Sequence, residues 1–298
     1  MAHARSNASA SPPDSARAFG CDHRSPLGAP CETRADCDPL AALMPVRTME
    51  DCERRIADIY GRALDLTADC GVLHVTAVGR DPVGELQTIA LAPGAPHSAT
   101  DAFVLHLARA RADAIVTTGR ILRSEPRLRH AIGDDQNLAC LAAWRRERLG
   151  KTGAPLSVVL TAGRELDWRH PLFHQGTQVA VVTSVSAARA LRAGAPAAAE
   201  LIARPEPGLR DTIELLRGRG HACVSIEAGP SSTADLYQPP LAVDELMLSV
   251  FEEHALPEAL RAGRFLGEAR LDDLFPHREG TTRLEGSGCW SFRRYWRG

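Results

Sequence analysis

The sequence predicts an α/β protein: a mainly parallel sheet flanked by helices, with a C-terminal antiparallel strand pair. Three observations carry this. Short Val-rich runs alternate with helix-period segments from residue 72 to residue 227, and parallel strands need crossovers of that kind. The alternation stops after Asp244, where 243–251 and 290–296 are strand-like with no strong helix between them. No internal repeat appears, so a solenoid is not expected.

Residues 1–45 are rich in Ala, Ser, Pro and Asp and have no sustained apolar period, the composition of a disordered extension. They contain Cys21, His23, Cys31 and Cys37, but their spacing matches no zinc knuckle and no Cys-x-x-Cys occurs in the chain. No metal is therefore expected. Residues 46–298 read as one domain. Ile56, Ile59, Tyr60 and Ala63 stand at helical spacing and predict a helix over 50–64. Strands follow at 72–78 and 88–91. Thr100 and Asp101 are placed to cap a helix ending at Ala112. A strand over 113–118 is closed by Gly119, and 137–149 is helical with Trp144 on its apolar face. Val-rich strands at 156–160 and 178–183 are of buried type. Helices at 186–192 and 209–217 precede a strand at 223–227.

Composition excludes several function classes. The 298 residues are 44% hydrophobic and 24% charged, ordinary for a globular protein. A net charge of -2 and 5% aromatic residues argue against nucleic-acid and membrane-surface partners. No apolar run reaches the roughly 18 residues of a membrane span, and the N-terminus has no signal-peptide core. Eight cysteines in a chain this long predict no disulfide framework, and the expected location is the reducing cytoplasm. No Gly-x-Gly-x-x-Gly, Gly-x-x-x-x-Gly-Lys-Ser/Thr, Gly-x-Ser-x-Gly or His-Glu-x-x-His occurs.

The most informative stretch is Ala222-Cys223-Val224-Ser225-Ile226-Glu227-Ala228-Gly229-Pro230-Ser231-Ser232. An apolar run ends in an acid, then a Gly-Pro turn opens a helix with hydroxyl residues. Pro suits a first helical turn, and the free N–H groups there seat an anion. A second region runs from Asp101 to Arg129: a helix ending Arg109-Ala110-Arg111-Ala112-Asp113, a strand, a small-residue turn, then Ser124-Glu125-Pro126-Arg127-Leu128. Val158-Val159-Leu160-Thr161-Ala162-Gly163 and Val181-Val182-Thr183-Ser184 are further strand ends with small or hydroxyl residues. Strand C-terminal ends are where open parallel sheets bind ligands.

In this order the motifs resemble the reductase domain of the riboflavin-biosynthesis deaminase/reductase family, a dihydrofolate-reductase-like fold, over roughly residues 68–297. The resemblance implies an NADPH-dependent reductase acting on 5-amino-6-(5-phosphoribosylamino)uracil. It places Thr118, Gly119, Arg120, Ser124, Gly163, Thr183, Gly229, Pro230, Ser231, Ser232 and Thr233 at the cofactor, and Thr76, Glu125, Leu128, Arg129 and Glu227 at the substrate. It also implies a homodimer through the C-terminal edge. The family's deaminase signature, His-x-Glu with Pro-Cys-x-x-Cys, is absent, so a stand-alone reductase is expected. The chain departs from the family on the substrate side. Arg120 stands where a hydroxyl is usual, Ser124-Glu125 keeps one of two acids, and Ala131 stands where an arginine is usual. Reduction of another heterocycle such as a pterin, or a degenerate homologue serving as a binding or assembly module, are the alternatives.

Residues taken alone have plainer readings. Arg109 and Arg111 read as a solvated helix end complementing the dipole. Asp244-Glu245 reads as a water-exposed strand start, Cys140 and Cys223 as small core residues, and His106 as a histidine that is not a base. Trp290, Phe292, Tyr295 and Trp296 read as packing on a terminal strand, within the chain or against a second subunit.

Overall fold

The computed structural model describes residues 46–60, 66, 70–132, 138–163, 165–286 and 288–298. The N-terminal extension and its Cys21, His23, Cys31 and Cys37 lie outside them, as does the predicted helix end at 61–64.

Helix α1 (Met49–Tyr60) leads into the long strand β1 (Gly71–Arg80), which hairpins to β2 (Leu86–Ile89). Then come α2 (Ala99–Arg111), β3 (Ala114–Thr118), α3 (Gly119–Ser124), α4 (Cys140–Leu149), β4 (Leu156–Leu160), β5 (Val179–Ser184), α5 (Val185–Leu191) and β6 (Ala199–Arg204). The last part runs α6 (Leu209–Gly218), β7 (Cys223–Ile226), α7 (Pro230–Thr233), β8 (Glu245–Phe251), β9 (Arg261–Arg264), α8 (Glu268–Leu274), β10 (His277–Glu285) and β11 (Gly288–Trp296). The strands form one sheet in the order β10-β11-β8-β1-β7-β3-β4-β5-β6, with β2 and β9 attached beside β1. From β8 to β6 all neighbours are parallel, and β11 joins β8 antiparallel. The predicted mixed α/β class with its C-terminal ribbon is what the chain forms.

Alternation along the strands sends side chains to two apolar layers. Leu73, Met247 and Phe251 pack against α1, α2 and α4, where Ile56, Phe103, Leu107 and Trp144 are buried. On the other face Val116, Val158, Val224 and Ile226 meet Ile213 of α6 and Leu271 of α8. Trp290, Phe292 and Tyr295 are buried inside their own chain at 0–1% exposure, so their packing needs no second subunit.

Several expectations are corrected. The cap of α2 is Ser98, whose hydroxyl accepts from the Asp101 N–H at 3.0 Å; Thr100 and Asp101 are already inside the helix. Gly119 does not stop the chain but starts α3, because Thr118 caps that turn through the Ile121 N–H. The second strand begins at Leu86, two residues early. Strands β6, β9 and β10 and helix α8 have no counterpart in the sequence reading. Cys223 is not a lone core thiol: it is disulfide-bonded to Cys70, joining the starts of the neighbouring strands β1 and β7.

Glu245 is also misread as solvated. It is 4% exposed and receives Arg111 at 2.6 and 2.9 Å and Arg294 at 2.7 Å. Burial opposes its charge, but the Arg111 guanidinium and the hydrogen bonds outweigh that and hold the carboxyl at about 2. Arg109 and Arg111, 4% and 1% exposed, are likewise interior rather than solvated.

Candidate active site

The sequence-predicted residues gather at the C-terminal ends of the parallel strands. Strand β7 pairs with β1 through Ile226 and His74 and with β3 through Ile226 and Val116. It then stops, while β1 continues alongside β8, so Thr76 lies past the end of β7 at the level of Ala228. The Glu227 N–H still donates to Val116 O at 2.8 Å, which fixes Glu227 as the first residue beyond the sheet. On the other side Thr118 pairs with Leu160, and Leu160 with Val182. The ends of β7, β3, β4 and β5 thus form one row.

Small residues make that row approachable. Gly119 sits so close to Thr161 that a Cβ there would meet Oγ1 at 2.7 Å, and the same Oγ1 accepts from the Gly163 N–H at 3.1 Å. Thr161, which the sequence reading passed over, therefore ties the Gly119 and Gly163 turns together. Gly229 differs: a Cβ there would meet nothing within 4 Å, so its face is open to an approaching group. Pro230 opens α7 as its first residue. Ser231 is exposed and Ser232 half-buried.

Not every predicted contact faces the opening. Thr233 is buried, and its hydroxyl donates back to Gly229 O at 3.4 Å. Thr183 is fully buried, with an Oγ1 that has no partner among the described residues. Thr118 is occupied as a helix cap, and the Ser124 hydroxyl donates to Ile121 O at 3.0 Å. Arg120 and Arg129 project to solvent. Leu128 packs with Leu122 and Phe173 on an apolar patch beside β4 and β5. Glu125 is held through its carbonyl, which lies 2.9 Å from His170 Nε2.

Glu227 is the best-determined group of the site. Arg109 Nε and Nη2 donate to its two oxygens at 2.8 and 2.7 Å, and Arg109 Nη1 donates to Arg129 O at 3.0 Å. One guanidinium from α2 thus fixes both the carboxylate after β7 and the loop carrying Arg129. Burial raises the Glu227 carboxyl, but the Arg109 charge and hydrogen bonds prevail and keep it below its usual range. His130 Nε2 lies 4.0 Å from Glu227 Oε2. Burial holds His130 at about 4 and His106 at about 3, with Arg109 lowering both further, so both rings are neutral at neutral pH. The sequence reading takes Arg109 for a solvated helix end and offers His130, with Arg129, as a stand-in for the arginine absent at Ala131, without pairing either with Glu227. The signal was the spacing of two arginines at a helix end, whose partners lie 118 and 134 residues away.

A polar recess of about 490 Å³ lies elsewhere, between α8 and the β10–β11 ribbon. Its Arg293 is committed to Glu252 and Glu268 at 2.8 and 2.6 Å, and the recess does not adjoin the strand ends. Among the described residues no three His, Cys, Asp or Glu side chains group to hold a metal, and no helix is long and apolar enough to cross a membrane.

No protein-family model matches the chain, and no curated protein sequence matches it significantly. Among solved structures it is similar to a pyrimidine reductase-like protein of Corynebacterium diphtheriae. There the TM-score is 0.54 at 21% identity, over 81% of this chain and 98% of that one. RibD of Acinetobacter baumannii aligns at TM-score 0.47 and 16% identity, over 76% of this chain and 58% of that one. A riboflavin biosynthesis reductase of Saccharomyces cerevisiae aligns at 0.46 and 12%, over 79% and 93%. With its strand order, its C-terminal ribbon and the Glu227–Gly229 turn at the strand ends, the chain has the fold of the Corynebacterium pyrimidine reductase-like protein.

Proposed function

We propose that residues 46–298 form an NADPH-dependent reductase of a heterocyclic substrate, with 5-amino-6-(5-phosphoribosylamino)uracil as the leading candidate. The observation that carries the reading is Gly229. A Cβ added there would meet nothing within 4 Å, and the residue stands two positions from a carboxylate fixed by Arg109. A phosphate-bearing ligand needs such a backbone approach.

Bound, a nicotinamide cofactor would supply a hydride to an imine or ring-opened sugar carbon, the balancing proton coming from water. Gly229, Pro230, Ser231 and Ser232 are the residues placed to meet its phosphates, with Gly119 and Gly163 along the same row. Glu227 has two lone pairs engaged by Arg109 and two left to accept a substrate N–H. Because Glu227 is held ionised and His130 neutral, neither has a proton to release at neutral pH. The site acts by holding donor and acceptor in register.

Gly229→Val tests this. Its backbone, with φ -70° and ψ 164°, suits valine, and the new Cβ meets nothing within 4 Å. Fluorescence titration is expected to show micromolar NADPH binding to the parent, about -8 kcal/mol, lost in a variant of unchanged thermal stability. Failure of the parent to bind NADPH or NADH sinks the reading and leaves a binding or assembly role in front.

The reading includes a homodimer. Strand β10 ends the sheet with one edge unpaired by any described strand. Two copies running antiparallel about Thr281 set Glu279 opposite Arg283 and His277 opposite Glu285, a favourable cross-strand pattern. Sedimentation equilibrium is expected to give twice the chain mass, and Thr281→Pro, which removes a ladder donor, to lower it. A monomeric parent overturns this part.

A further inference from the structure

His130 is buried, is not needed for hydride transfer, and belongs to a hydrogen-bond chain whose polarity can be worked out. The His130 backbone N–H donates to Gln175 Oε1 at 2.9 Å. That fixes the amide: its nitrogen faces the other way and donates to Ser157 Oγ at 2.9 Å and Thr177 Oγ1 at 2.8 Å. Ser157 is fully buried, and among the described residues its hydroxyl hydrogen-bonds Gln175 and, at 3.1 Å, His130 Nδ1. Having received the amide proton, the hydroxyl has one proton of its own to place, and His130 Nδ1 is the acceptor within reach.

The opposite tautomer fails twice. With the proton on Nδ1, the buried Ser157 proton would have no acceptor within reach among the described residues. The Nε2 lone pair would also face Glu227 Oε2 at 4.0 Å, lone pair against anion. Nε2 has no hydrogen-bond partner among the described residues, so nothing offsets either penalty. The charged and titratable groups facing the ring are Glu227 after β7, Arg109 from α2, and His170.

We propose that His130 is a positioning residue for Glu227: Gln175 and Ser157 lock its ring as the Nε2–H tautomer, so that a fixed neutral N–H dipole faces the carboxylate. This device belongs to this chain, in which Ala131 leaves the substrate side without the guanidinium that the resemblance leads one to expect. The tautomer stands on geometry alone; its bearing on substrate rests on the reading of Glu227 given above.

The test is long-range ¹H–¹⁵N NMR of the histidine rings in the full chain, with His130 assigned through His130→Gln. One tautomer, protonated on Nε2, is expected between pH 8 and pH 6. Gln175→Glu turns the Ser157 partner from donor to acceptor, so it is expected to flip the ring to Nδ1–H. Ser157→Ala, which adds no charge, is expected to remove the lock and admit a minor Nδ1–H population beside the Nε2–H form that Glu227 still favours, and to raise the Glu227 titration midpoint, followed by its carboxyl ¹³C shift. An Nδ1–H parent, an unchanged tautomer in Gln175→Glu, or a Glu227 midpoint unmoved in Ser157→Ala while the tautomer changes, each overturns the inference. The readouts need no cofactor, so failure of NADPH binding tests the function and leaves this result separately decided.

Discussion

Glu245→Ala is expected to destabilise the protein by about 3–5 kcal/mol, the usual cost of stranding buried charge, and to lower Tm by about 10 °C. Glu245 is the shared anion of two guanidiniums. Arg111 is 1% exposed and Arg294 9%, and Arg294 also meets Glu279 at 3.0 Å. Remove the carboxylate and Arg111 is left in an apolar layer with nothing of opposite sign in contact. The Arg111 Nε already lacks a partner among the described residues. The companion experiment separates the pair's worth from the penalty of breaking it. Arg111→Met, Glu245→Leu and Arg294→Met together remove the buried charge while keeping volume, and are expected to recover most of the loss. Urea denaturation measures both. A cost below about 1 kcal/mol for Glu245→Ala, the range of an exposed pair, would mean that the cluster is hydrated and the account wrong.

The second large effect is acid lability. Burial holds His74 at about 4, His106 at about 3 and His130 at about 4, against about 6.5 in the unfolded chain. The sign follows from proton counting. Between pH 6.5 and pH 4 the unfolded chain binds more protons than the folded one, so stability falls as pH falls through that window and is level above it. Each ring contributes about 3 kcal/mol when pH reaches 4, at about 1.4 kcal/mol per unit of separation. Three such rings rival the whole stability of a typical domain, about 5–15 kcal/mol. The carboxyls of Glu227 and Glu245, held low by their arginines, add a further loss at more acid pH. Urea midpoints from pH 8 to pH 4.5 are expected to be constant to about pH 7 and then to drop steeply. His74→Phe removes one of the three protons and is expected to reduce the slope. Stability unchanged between pH 7 and pH 5 would contradict the burial of these rings.

How much of this was legible in the sequence depended on range. The central strands β3, β4, β5 and β7 are short runs of β-branched residues buried on both faces, and a window of six residues shows them. The turn Glu227-Ala228-Gly229-Pro230 was equally plain, since an acid followed by Gly-Pro is a local signal. Strand β6 was not, because Ala-Glu-Leu-Ile-Ala-Arg is an edge strand whose residues are only half-buried or exposed, with a single apolar side chain larger than alanine to each face, Leu201 and Ile202. Strand β10, His-Arg-Glu-Gly-Thr-Thr-Arg-Leu-Glu, is exposed and is held by its pairing to β11 rather than by burial. The charged residues misled most. Arg109, Arg111 and Glu245 look like surface residues until the fold brings partners together from more than 100 positions away. The resemblance assigned Glu227 to the proposed substrate side; it did not reveal that Arg109 already grips both its oxygens.

The sheet order also bears on how the nascent chain matures. Strand β1 leaves the ribosome early, yet its lateral partners are β7 and β8, and Val72 waits for Asp244, 172 residues later. At the usual 5–20 residues per second, roughly 10–30 s pass in which an apolar strand has only the short hairpin strand β2 beside it, at Val78–Arg80. The next strands outward, β11 and then β10, come later still in the chain. Emergence of β7 and β8, which flank β1 on its two sides, is then the event that permits the core to close, and the unfinished chain is a natural client for a holdase.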